Sequence, residues 1–315
     1  MATPTIVVFG ATSQLGSYVA KALVATYEVR GVTAELDHDL QIKDLEDAGV
    51  QVQRLSFSDD PGLEASLAGA VGCFVVTASD LADPYGYDNE VQQGRAIAAA
   101  CARARVPHVI YSTQLSVVHA LGLRARHMDA KAVVESYMNE LKLPLTGLVV
   151  PFFYENLLMP PFRPVQLAED SYALMIPMGE TSLDAMSMAD VGGVVLCLFK
   201  HRDQFLRKTL TISGDKVTIK EMAASLTKHI PPFRFTDKQV TLEDYRRMQF
   251  EGAEDLANMF DFYYHVVQRP SVDLTKRCHP DVKRFDDWVR YNAHAISMAT
   301  TGGPPRPPTT PARLI

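Results

Sequence analysis

The segment "RHMDAKAVVESY" sets His127 and Lys131 four residues apart, a spacing that puts both on one face of a helix, one turn apart. A histidine titrates near neutral pH and can serve as a general acid, and Ser112, at the end of "HVIYST", offers a hydroxyl to orient the ring. A plainer reading stands beside it: His127 is a surface or helix-start residue and Lys131 only contacts a ribose. Other chemistries lack their residue sets. The four cysteines, at 73, 101, 197 and 278, are scattered, with no Cys-x-x-Cys and no paired histidine. Neither "HMD" nor "KHI" makes a ligand set, so no metal is expected, and the Gly-x-Ser-x-Gly elbow of a serine hydrolase is absent.

A second constellation lies near the N-terminus. In "VVFGATSQLG" a strand runs into Gly10, Ser13 and Gly16 and then into the amphipathic stretch "QLGSYVAKALVA". Strand, tight turn and helix start together form a phosphate cradle, because the helix N-terminus offers free N–H groups and glycines let the backbone approach a pyrophosphate. Ser13 stands where such a turn places its middle glycine, and its side chain is expected to weaken that approach. After the second strand the chain offers Ala34, Glu35, Asp37 and Asp39. Carboxylates here suit a free ribose 2′-hydroxyl and repel a 2′-phosphate, although Asp37 or Asp39 could equally cap the next helix.

These residues need a frame. The runs "TIVVFG", "YEVRGVT", "VQVQRL", "GCFVVTA", "HVIYST" and "LTGLVV" alternate with segments of helical length, which predicts an α/β fold: a Rossmann-type, doubly wound parallel sheet of six strands over residues 1–150. Prolines at 151, 160, 161, 164 and 177 then break the rhythm. Residues 151–298 read as a smaller, mostly helical lobe that completes the cleft, with helix starts at Ser187, Thr218 and Thr241. Residues 299–315, rich in proline, read as a disordered tail. In "DLANMF" and "DFYY" the helical spacing of apolar residues favours core over an exposed recognition stretch.

The stretches "VVFGATSQLG", "EVQQG", "HVIYS", "HMDAK", "PFFYENLL", "SLDAMSMADVG", "LTKH" and "GAEDLANMF" resemble the NmrA-like branch of the short-chain dehydrogenase/reductase superfamily, over about residues 4–296. The resemblance implies a redox sensor that binds NADP(H) without established turnover and changes oligomeric state, as a possible homodimer, or regulatory protein partners with cofactor status. It carries a binding site onto Gly10, Ala11, Thr12, Ser13, Gln14 and Leu15, onto Thr77, onto Lys131, and onto a nicotinamide-side segment Phe153, Tyr154, Glu155 and Asn156. The last segment also reads as a core plug in which Glu155 and Asn156 satisfy loop amides.

Departures from the family pattern are as informative. None of the tyrosines has a lysine four residues on, so the superfamily's Tyr-x-x-x-Lys proton donor is missing and His127 stands where the tyrosine belongs. By the same resemblance the 2′-phosphate arginine falls on Ala34, neighbouring basic positions on Asp37 and His38, a helix lysine on Gln92 and an aspartate on Ser56. Each charge-assisted hydrogen bond contributes about 1.5 to 3 kcal/mol, so losing two weakens binding roughly a hundredfold to ten-thousandfold. The expected cofactor is therefore NADP(H) held weakly, or NAD(H). A true NAD(P)H reductase using His127 and Lys131, and a cofactor-blind protein-binding scaffold, are the alternatives.

Composition narrows the class. Among 315 residues, 47% are hydrophobic, enough for a sizeable core, and 31 basic against 37 acidic residues give a net charge of −6. Opposite charges are mixed along the chain, which leaves no footprint for direct nucleic-acid or membrane binding. Free cysteines and a start without a signal-type apolar segment point to the cytoplasm, with nuclear access left open.

Overall fold

Strands buried on both faces read as continuous apolar runs, and Ile6, Val7, Val8 and Phe9 are all fully buried. They belong to β1 (Thr5–Phe9) of a computed structural model that describes residues 3–34 and 39–301. There follow α1 (Gln14–Leu23), β2 (Glu28–Thr33), α2 (Asp39–Asp47), β3 (Gln51–Arg54), α3 (Asp60–Ser66), β4 (Ala70–Val75), α4 (Gly86–Arg103), β5 (Val109–Thr113), α5 (Val117–Leu121), α6 (Arg126–Glu140) and β6 (Leu145–Val149). All six strands pair in parallel. Strand order reverses between β1 and β4, and a doubly wound sheet opens its ligand crevice at the carboxyl ends of such a pair.

The second half comprises β7 (Phe152–Phe153), a 3₁₀ turn (Tyr154–Leu158), β8 (Val165–Ala168), β9 (Ser171–Leu174), β10 (Leu183–Met186), α7 (Met188–Lys200), α8 (Arg202–Phe205), β11 (Thr209–Thr211) and β12 (Asp215–Val217). It ends with α9 (Ile219–His229), β13 (Arg234–Asp237), α10 (Leu242–Arg246), α11 (Ala253–His265), α12 (Val272–Cys278) and α13 (Phe285–Thr300). The helix starts lie where their caps predict: Ser187 accepts from the Ala189 amide, Thr218 and Glu221 form a reciprocal capping box, and Thr241 accepts from the Asp244 amide. Asp190, three residues past Ser187, does not serve that cap. It turns to His279 and Lys283.

Two features depart from the sequence expectation. A seventh strand, β11, returns from the second half to pair in parallel with β6, and α7 packs along α1, with Gly192 close enough to Ala22 that an added methyl would lie 2.6 Å from the Ala22 Cβ. Position 150 therefore divides the sequence but not the layers. The second lobe is mostly helical, yet it also holds two three-stranded sheets, β12-β10-β7 and β13-β9-β8. Strands of two to four residues among prolines carry too little alternation to be read. At the C-terminus α13 includes residues 299–300, while 302–315 of the expected tail lie outside the described residues.

Candidate dinucleotide site

Gly10 adopts φ +74°, and a methyl there would meet the Val76 carbonyl at 2.5 Å; one on Gly16 would come within 2.1 Å of the Gly10 carbonyl. The turn is thus closed so tightly that only glycine fits at its two ends. Ser13 is spent on this geometry: its hydroxyl donates to the Gly10 carbonyl at 2.7 Å and accepts from the Gly16 amide at 3.0 Å, capping α1. The expected intrusion at the close-approach point is replaced by a side chain turned back into the loop. Ala11 and Leu15 are fully buried beneath the turn, and the Thr12 hydroxyl shares a hydrogen bond with that of Thr33. Gln14 is exposed, and the amides of Gln14 and Leu15, in the first turn, have no intrahelical acceptor.

Beyond the carboxyl ends of β2, β3 and β4 lies a cavity of about 360 Å³ lined by Ala34, Ser56, Ser58, Asn89, Gln92 and Gln93 together with Asp80, Asp83 and Glu90. No lysine or arginine is among its described lining residues. Three positions that the resemblance marks as departures, Ala34, Ser56 and Gln92, therefore converge on one wall. Glu35, Asp37 and His38 lie outside the described residues. Asp39 begins α2 and pairs with Arg54.

Lys131 and Thr77 are also brought together, by a residue that sequence reasoning missed. Lys131 Nζ lies 2.5 Å from Glu90 Oε1 and donates to the Thr77 carbonyl at 2.9 Å. Glu90 accepts from the Thr77 hydroxyl and, on its other oxygen, from Ser79, each at 2.6 Å. The Tyr111 hydroxyl lies 3.2 Å from that of Thr77, and its phenol is held well above the ordinary tyrosine range, chiefly by burial and then by the Glu90 charge. Lys131 and Glu90 are 1% and 2% exposed, so this ion pair is sealed from water. The signal was present in α4: Gly86, Glu90, Gly94 and Ile97 all fall on its buried face, and a carboxylate on such a stripe demands a buried partner.

At the far end, His127, Gln114, Phe153, Asn156, Met188 and Met259 help line a cavity of only about 40 Å³. His127 Nε2 lies 3.4 Å from the Met259 sulfur, and its Nδ1 has no hydrogen-bond partner. Burial lowers its pKa to about 4, leaving the ring neutral at pH 7. Ser112 is buried at the end of β5. Phe153 and Asn156 border the cavity; Tyr154 and Glu155 do not. Tyr154 packs on Phe285 and Trp288. Glu155 accepts from Ser187, the Met188 amide and the Trp288 indole, and burial pushes its carboxyl up despite these donors. The segment expected on the nicotinamide side is thus divided between a cavity wall and a core plug.

Tyr263, with Val150, Pro151 and Phe152, separates this cavity from a neighbouring cleft of about 250 Å³, whose outer rim is Val266, Val267, Gln268 and Pro270. The segment "GAEDLANMF" forms the start of α11, and its Leu256 and Met259 help line the cavity beside His127. Asp255 accepts from the Arg126 amide at 2.7 Å and its Nε at 2.9 Å, while the Arg126 guanidinium donates to the carbonyls of Leu81 and Asp83. Leu256, Ala257, Met259 and Phe260 are buried, in keeping with the core reading of that stretch. Among the described residues no cluster of three metal-ligating side chains is found, and no helix is long and apolar enough to cross a membrane.

The chain is 23% identical over 253 residues to quinone oxidoreductase 2 of Escherichia coli (strain K12), covering 79% of this chain and 80% of that protein. Its fold superposes on NmrA, a negative transcriptional regulator, in complex with NAD (TM-score 0.79, 18% identity, 96% of this chain and 98% of that one). It also superposes on NmrA in complex with NADP (TM-score 0.76, 18% identity, 92% and 95%). A family model described as the NmrA-like family matches residues 2–287, a span that holds the glycine turn, the Lys131 helix and α11 together, and the chain belongs to that family.

Proposed function

We propose that this protein is a regulator without redox turnover, which binds a nicotinamide dinucleotide at the Gly10–Gly16 turn and transmits its presence to protein partners or to self-association. The carrying observation is the state of the two groups placed for proton transfer. His127 is uncharged at pH 7 and the Lys131 charge is answered by Glu90, so neither offers a substrate a free cationic proton donor. The residues fit the cofactor where it needs backbone: the turn's glycines leave room that any Cβ would fill, and α1 offers its first amides. NmrA, which shares the fold, is described as a negative transcriptional regulator and as complexed with NAD and with NADP.

The cavity walled by Ala34, Ser56 and Gln92 supports NAD(H) over NADP(H), since a 2′-phosphate would meet Asp80 and Asp83 without a cation among the described lining residues. Binding regulates only if its affinity differs between two arrangements of the protein, and α11, tied through Arg126 to the loop before α4, is the element that can carry such a difference. The relation to quinone oxidoreductase 2 favours a second reading, hydride transfer from the bound cofactor to a quinone.

Calorimetric titration with NADH, NAD⁺, NADPH and NADP⁺, with oligomer size measured in parallel, tests the first reading. The expected result is tighter binding of NAD(H) and a change of size or partner binding. Selective, tight NADPH binding would overturn the cofactor preference. Steady oxidation of either reduced cofactor by a small quinone would establish the second reading in place of the first.

A further inference from the structure

The cleft of about 250 Å³ beyond Tyr263 takes no part in holding the dinucleotide as proposed above. One wall is the small sheet β12-β10-β7, which contributes Phe152, Leu183, Asp184 and Lys216. Successive residues of a strand point to opposite faces. Leu183 and Ala185 of β10 are buried in the core, and Asp184 between them stands directly across from Lys216 on β12. The facing wall comes from α11 and the loop after it: Tyr263 lies beside the carboxylate, and Tyr264 and Val267 form an apolar rim exposed to water.

The charge of Asp184 is incompletely answered. Lys216 Nζ is 3.8 Å from its Oδ2, beyond hydrogen-bond reach. The lysine side chain is 61% exposed, whereas that of Asp184 is 20% exposed. Lys216 and the Ser213 hydroxyl draw the pKa of Asp184 down, yet burial prevails and pushes the carboxyl up. Its charge also reaches Tyr263, whose phenol is raised by burial and then by Asp184. The His265 ring, another part of the lining, turns to Asp261 at 2.7 Å.

We infer that this cleft is a binding site for a small aromatic cation, an ammonium or amidinium carried on a single flat ring, with its charge on Asp184 and its ring against Tyr263, Tyr264 and Val267. An inorganic cation would need several oxygen ligands, and among the described residues no three metal-ligating groups meet. An organic cation needs only the one carboxylate and gains from aromatic faces. A mostly hydrated lysine moves aside at little cost, so Lys216 guards the carboxylate without occupying the cleft. The volume lies below the usual range of ligand pockets, which limits the occupant to about one ring. Tyr263 also lines the cavity beside His127, so a ligand here touches a wall of that cavity too.

The full chain, free of dinucleotide, is to be titrated with benzamidine, benzamide and benzoate by calorimetry and by ligand-observed saturation-transfer NMR, which makes the outcome independent of the regulatory reading. Benzamidine is expected to bind, and benzamide and benzoate to bind at least roughly tenfold more weakly, the discrimination that a charge-assisted hydrogen bond supplies. Asp184→Asn should reduce benzamidine to the level of benzamide. Lys216→Ala, which removes the competing cation, should tighten benzamidine several-fold. No benzamidine binding, equal binding of benzamidine and benzamide, benzoate as the tightest of the three, or undiminished benzamidine binding by Asp184→Asn would each overturn the assignment.

Discussion

A lysine shielded from water must have its charge answered within the protein. At Lys131 the answer is Glu90, 2.5 Å away, with Thr77 and Ser79 completing the carboxylate's hydrogen bonds. Removing one partner of a buried pair leaves the other uncompensated, so Glu90→Leu is expected to destabilise the fold by about 3–5 kcal/mol. Replacing both groups, Glu90→Leu with Lys131→Met, should restore most of that loss. Urea unfolding followed by the fluorescence of the single tryptophan, Trp288, checks both; a single variant as stable as the parent would show that water reaches the pair. Lys131 was singled out by its spacing from His127 and by the family resemblance. Its partner was not, because β4 and α4 meet α6 only in the folded chain, and spacing within one helix says nothing of what another helix brings to it.

The turn before α1 is an element whose every position has a geometric task. At Gly16 a methyl cannot be accommodated 2.1 Å from a backbone carbonyl, so Gly16→Ala is expected to open the turn and abolish dinucleotide binding. Ser13→Ala removes the α1 cap and should cost about 1 kcal/mol, whereas Ser13→Gly should cost only a few tenths. Denaturant midpoints of the two Ser13 variants separate these values; equal losses would mean that the hydroxyl does not act as the cap. This element shows how far sequence carries. Strand, glycine and helix start were readable because each is a local preference. The role of Ser13 was not, since a serine at that position can project outward or fold back, and only the Gly10 carbonyl and Gly16 amide decide it. The short strands β7 to β13 and the return of β11 were illegible for a related reason: they are fixed by tertiary pairing, and their few residues hold no period of their own.

Across the whole molecule, acid stability is set in large part by two buried neutral histidines. His108, 2.8 Å from the Thr146 hydroxyl, and His127 both have pKa values lowered to about 4, with burial the largest cause for each. In the unfolded chain a histidine titrates near 6.5, so as pH falls from about 6.5 to 4 the unfolded state takes up protons that the native state refuses, and each histidine removes up to about 3 kcal/mol of stability. Glu155, whose carboxyl burial pushes up, opposes the trend at the acid end by protonating first in the native state. Urea midpoints should therefore fall steadily from pH 7 to pH 4.5, and the slope should flatten in His108→Asn and His127→Phe; a level profile in the parent would contradict the buried neutral rings. The late return of β11 bears on synthesis as well. Val149 of β6 pairs with Thr211, which leaves the ribosome 62 residues later, so at roughly 5–20 residues per second the nascent sheet stands for several seconds with β6 as an open edge. During that interval the growing chain presents the kind of unpaired strand that recruits chaperones or another nascent copy, and the rate of translation through residues 150–211 becomes a determinant of folding yield.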